Sequence, residues 1–98
     1  MDIIKKHQIE IEKICQQNDI GYLGVFGSTA RNEATDISDV DLLVRFSKPI
    51  GLFTLVNVEN QFKKALGRDV DLITVGGLNS KIKSYVFNDL KNIYGKTF

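Results

Sequence analysis

Apolar residues recur along this chain in two rhythms, and the alternation between them outlines the fold. Ile4, His7, Ile11 and Ile14 follow one another at helical spacing after Asp2, a residue type that caps helix N-termini, which predicts an amphipathic helix over residues 3–17. Asn18 to Gly21 then turns the chain. The stretch IGYLGVF is short, apolar and interrupted by glycine, the pattern of a buried strand at residues 20–26, and a second strand is predicted from Asp39 to Phe46. Pro49 and Gly51 break the chain. Beyond them Leu52, Leu55, Val56, Phe62, Ala65 and Leu66 keep a helical stripe as far as Gly67, a residue suited to the position just past a helix C-terminus. Asp69 to Val75 alternates and is rich in β-formers, predicting a third strand that ends at Gly76-Gly77. Leu78, Ile82, Tyr85, Val86, Leu90 and Ile93 then predict a carboxy-terminal helix. Strands interleaved with helices, without repeats or linkers, indicate an α/β fold: a small mixed β-sheet with helices packed on it.

The bulk properties narrow the functions this layer can serve. With 98 residues the chain is expected to form one domain, 1–98, with no room for a separate substrate domain. Thirteen Lys and Arg against twelve Asp and Glu leave a net charge of +1, so no general attraction to nucleic acid or anionic membrane is expected. The longest apolar runs are a few residues and the amino terminus lacks a signal-peptide core, so a cytoplasmic protein without membrane association is expected. The single Cys15 excludes an internal disulfide and any multi-cysteine metal site, and reads as a small core residue.

The candidate chemistry lies in GSTARNEATDISDVDLLV, residues 27–44. Side chains two apart on a strand share a face at about 7 Å between Cα atoms, so Asp39 and Asp41 project together while Val40 points away. Like charges that close repel unless a cation stands between them. A hard divalent ion suits two carboxylates, and magnesium in particular takes oxygen ligands while keeping water and phosphate in its shell. The same spacing also fits an idle, hydrated pair at the solvent end of a strand. Ahead of the pair, Gly27-Ser28 follows a predicted strand and opens STAR, a stretch suited to a helical turn with exposed N–H groups for phosphate. Gly27 permits close approach of the backbone, Ser28 adds a hydroxyl, and Arg31 adds a planar cation; the alternatives are a turn glycine, an N-cap, and a surface arginine paired with Glu33 or Asp36. The glycines fit neither a Walker loop nor a dinucleotide fingerprint.

Gly27-Ser28, ten residues, then Asp39-Val40-Asp41 before an apolar strand resembles the signature of the DNA polymerase β nucleotidyltransferase superfamily, and in particular the minimal MntA-type antitoxins paired with HEPN-domain toxins. Length and element order are similar over nearly the whole chain. The resemblance implies a third carboxylate in a V-D-L setting on a neighbouring strand, which Val70-Asp71-Leu72 supplies; Asp69 is a rival on the same strand face. Asn32 departs from the pattern, standing where many relatives carry glycine. Asparagine tolerates left-handed backbone better than most residues, so the loop is expected to form.

The chemistry so implied is attack by an acceptor hydroxyl on the α-phosphate of ATP, with two Mg²⁺ ions about 4 Å apart steadying the attacking and leaving oxygens. Asp39, Asp41 and Asp71 would be both catalytic residues and metal ligands, with Asp71 nearest the acceptor and able to take its proton. Gly27, Ser28 and Arg31 would hold the nucleotide phosphates. The implied partner is a HEPN ribonuclease toxin that receives AMP on tyrosine, and Ile3 and Ile9 are candidates to face it. Stable nucleic-acid binding is not expected. Two other functions fit the same residues: a binding-only antitoxin, and a stand-alone enzyme acting on a small molecule. His7, Tyr22, Tyr85 and Tyr94 are expected to pack, not react.

Overall fold

The computed structural model of the protein describes residues 2–95 and contains one four-stranded sheet of order β3-β2-β1-β4. The elements run α1 (Asp2–Lys6), α2 (Gln8–Gln17), β1 (Ile20–Phe26), α3 (Gly27–Ala30), β2 (Val40–Phe46), α4 (Leu52–Leu66), β3 (Val70–Thr74), a 3₁₀ turn (Val75–Gly77), α5 (Ser80–Asp89) and β4 (Lys91–Gly95). β1 pairs antiparallel with both β2 and β4, whereas β2 and β3 are parallel and joined by α4, the crossover that parallel strands require. The expected mixed sheet is therefore present, and the three anticipated strands begin and end within a residue of their predicted limits.

Alternation along the strands separates two cores. Leu23, Val25, Val40, Leu42, Val44, Val70 and Leu72 face α1, α2 and α4 and pack against Ile4, Ile11, Ile14, Val58 and Phe62. Tyr22, Phe26 and Leu43 face the other way, onto Val86 of α5. Cys15 is fully buried in the larger core, and burial pushes its thiol up to about 12, so it behaves as an inert apolar residue, as expected.

The structure corrects the predicted helices at three points. The first helix is two: at His7 the backbone amide donates to the Ile4 carbonyl at 3.2 Å, while the ring Nδ1 hydrogen-bonds the Ile3 carbonyl at 2.9 Å. Competition from a side chain for a helix carbonyl tightens the turn and breaks the run. Asp2 opens α1, but the side chain expected to cap it lies outside the described part. In α4, Leu52 and Val56 face solvent and Val58 is buried; the inner stripe is Leu55, Val58, Phe62, Ala65 and Leu66. The helix ends as anticipated on Gly67, in left-handed conformation and donating to the Lys63 carbonyl. The last helix stops at Asp89, and Ile93 belongs to β4, because the segment after Leu90 pairs antiparallel with the free edge of β1, with an irregularity in the ladder at Ile93.

Small devices finish the sheet edges and loops. β3 is an edge strand, and its Leu72 N–H donates to the Glu59 carboxylate of α4 at 3.0 Å. Asn18 at the end of α2 donates to the Ile14 carbonyl and to Gln61 of α4, tying the two helices together. Among the described residues no helix is long and apolar enough to cross a membrane.

Candidate active site

The smaller face of the sheet carries the acidic residues. Asp41 on β2 stands opposite Asp71 on β3 in the parallel register, and neighbouring residues in register point to the same side. Asp41 shares its face with Leu43, so both carboxylates lie on the α5 side, at the end of the sheet where β2 and β3 begin. Asp39 precedes the first residue of β2 and is exposed. Between the two candidates on β3, Asp71 is the one whose charge acts on Asp41; Asp69 stands before the strand and offers its carbonyl to the Val40 N–H at 2.9 Å.

The electrostatics report how closely these groups gather. The Asp41 carboxyl is held above the usual carboxylate range, first by burial, then by the negative charges of Asp71 and Asp39, with Arg31 opposing the shift. Three carboxylates and one guanidinium therefore share one field, with an excess of negative charge. Among the described residues no three acidic, imidazole or thiol groups already form a cage able to hold an ion. The donor set is all carboxylate oxygen, which suits magnesium: that ion commonly takes one or two protein carboxylates and completes its shell with water and phosphate.

β1 delivers the chain to this end of the sheet, since its last residue, Phe26, pairs with Asp41. Gly27 then turns with φ +71, and a Cβ there would collide with Oδ2 of Asp41. Only glycine fits both the left-handed backbone and the contact. The single helical turn of α3 follows, presenting Ser28, half-buried, while Thr29 and Ala30 point inward. Asn32 adopts φ 60, so it does take the left-handed conformation expected of it. The anticipated acidic pair, third carboxylate and glycine-serine turn are thus brought together.

Arg31 has company that the local sequence reading did not supply. Its Nε lies 3.3 Å from Glu33, one of the anticipated partners, but Nη1 donates to Asp89 at the end of α5, and Tyr85 adds a further side-chain hydrogen bond. Asp36 instead pairs with Arg68, at 3.7 Å. Tyr85 is exposed and engaged with the site margin, unlike Tyr22, which packs as expected with its hydroxyl on Asn92. No pattern in the sequence points to Asp89 or Tyr85, because they lie more than fifty residues from Arg31 and only the fold makes them neighbours.

A short mixed sheet, a glycine-serine turn closing its β1 end and carboxylates in register on β2 and β3 together define a minimal nucleotidyltransferase. The model of the family described as "Polymerase beta, Nucleotidyltransferase" matches residues 9–98, and the chain belongs to that family. It is 36% identical over 90 residues to an inferred protein adenylyltransferase of Methanocaldococcus jannaschii, covering 91% of this chain and 89% of that one. It is 38% identical over 68 residues to the protein adenylyltransferase MntA of Thermococcus cleftensis, covering 69% of each. Solved structures share the fold, among them two from toxin-antitoxin pairs. A toxin-antitoxin structure with AMP-PNP superposes with TM-score 0.79 at 21% identity, over 92% of this chain and 74% of the other. The MNT antitoxin in complex with tri-AMPylated HEPN toxin of Shewanella oneidensis gives TM-score 0.73 at 19% identity, over 94% and 72%.

Proposed function

We propose that this protein is the adenylylating antitoxin of a HEPN-type ribonuclease toxin, transferring AMP from ATP to a tyrosine hydroxyl of that toxin and thereby silencing it. The observation that carries the proposal is the register of Asp41 with Asp71, on one sheet face, with Asp39 close by and the Gly27 turn packed against Asp41. Relatives that are protein adenylyltransferases, and a structural neighbour bound to an AMPylated HEPN toxin, support the choice of nucleotide and partner.

In this reading the triphosphate lies with its β and γ phosphates against Gly27 and Ser28. The acceptor oxygen forms a bond to the α-phosphorus, the bond to the β-phosphate oxygen breaks, and pyrophosphate leaves. Asp71, exposed and in register with the half-buried Asp41, receives the hydroxyl proton. Asp39, Asp41 and Asp71 would hold two Mg²⁺ ions, which when bound supply positive charge at the transferring phosphoryl group. The unbalanced negative charge around Asp41 supports that requirement. This reading puts the protein in the cytoplasm, with the ATP it consumes.

Mass spectrometry of a cognate HEPN protein after incubation with the chain, magnesium and ATP tests the proposal. The toxin should gain AMP units with the wild-type chain and none with Asp41→Asn. Neutralisation of the toxin without added mass would identify a binding-only antitoxin, and labelling confined to a small molecule would identify a stand-alone enzyme.

A further inference from the structure

Asp89 occupies an unfavourable position for an anion. It is the last residue of α5, where the helix dipole disfavours negative charge, and its side chain is only 15% exposed. The charge is tolerated because the Arg31 guanidinium meets it. α5 itself is anchored: Val86, three residues earlier, is buried against Tyr22, Phe26 and Leu43. Asp89 therefore offers Arg31 a fixed partner, whereas Glu33, 63% exposed, offers a solvated and weaker one.

The location of this pair gives it a use. Arg31 is the residue immediately after α3, the turn that Gly27 and Ser28 open, and its charge reaches Asp41, so the guanidinium stands at the same end of the sheet as the acidic residues. With the acceptor on the Asp71 side, in-line displacement puts the leaving pyrophosphate on the α3 side. We propose that Asp89 is a positioning residue for the nucleotide: it fixes Arg31 beside α3 so that the guanidinium meets the leaving phosphates, making the carboxy-terminal helix part of the nucleotide site. This rests on the reading above, in which the triphosphate lies against Gly27 and Ser28. Guanidinium has five N–H donors, and its contacts with Asp89, Glu33 and Tyr85 leave others for phosphate. Holding the long side chain in place before the ligand arrives removes part of the ordering cost of binding.

Calorimetric titration of the full chain with α,β-methylene ATP and magnesium tests this without an acceptor, because the bond that would break is replaced. Asp89→Ala should weaken binding roughly tenfold, the scale of one charge-assisted contact. Asp89→Glu should recover most of the loss, and Asp89→Asn serves if the alanine variant melts without cooperativity. Arg31→Ala should lose a similar factor, and the double variant Arg31→Ala/Asp89→Ala should bind no more weakly than Arg31→Ala alone. Wild-type affinity in Asp89→Ala and Asp89→Asn, or losses that multiply in the double variant, would overturn the proposal. Nucleotide binding by the wild type without any adenylyl transfer would sink the functional reading alone; absence of nucleotide binding would sink both.

Discussion

Gly27 and Asp41 are in contact so closely that no side chain fits between them: a Cβ on the glycine would fall on the Oδ2 atom of the aspartate. Gly27→Ala should therefore be damaged twice. Left-handed backbone costs an alanine about 1–2 kcal/mol, and the methyl must also push the carboxylate from its place. A lowered urea midpoint together with loss of adenylyl transfer is expected. Wild-type turnover in this variant would show that the contact does not set the carboxylate position.

Asp41→Asn should separate stability from activity. A carboxyl whose folded pKa is raised binds its proton more tightly in the native state, so the native state loses this contribution as pH rises from the unfolded value, near 3.8, through the raised one. At neutral pH the ionised Asp41 weakens the metal-free fold, and the asparagine variant should melt higher than wild type while transferring no AMP. The difference should close as pH falls below 3.8. Thermal melts across that range check it, and a variant that melts lower than wild type at neutral pH contradicts the account.

Asp71 and Asp69 differ in register, and their variants should differ accordingly. Asp71→Asn should lower kcat by roughly 10²–10⁴, the range for loss of a positioned general base, whereas Asp69→Asn should stay near wild type. Equal losses at both positions would place the acceptor's base elsewhere.

Asn32 holds φ 60 in the loop between α3 and β2. Asn32→Val should cost about 1–2 kcal/mol, because a β-branched side chain is strained in this region. Chemical denaturation measures the loss directly; an unchanged midpoint would mean that the loop relaxes to another conformation.

The elements that were legible in the sequence are those whose evidence is local. IGYLGVF, DVDLITV and the run from Asp39 to Phe46 each carry enough apolar or β-branched residues to announce a strand. Gly67 announces the end of α4 because a left-handed residue is needed there. β4 was not legible: Lys91–Gly95 is an edge strand with no buried residue and no alternation, and Ile93 continues the helical spacing of α5. The inner face of α4 was misjudged for a related reason, since apolar residues outnumber the places that α4 can bury.

Residue type and spacing were enough to select Asp39, Asp41, Gly27 and Ser28, because the chemistry of adjacent carboxylates and of a glycine turn operates over a few residues of chain. The V-D-L setting already favoured Asp71 over Asp69, but setting Asp71 opposite Asp41, and finding Asp89 and Tyr85 beside Arg31, required strand register and helix packing. Those relations join residues tens of positions apart, and burial of the two apolar cores is what draws them together, so no stretch of the chain read alone contains them.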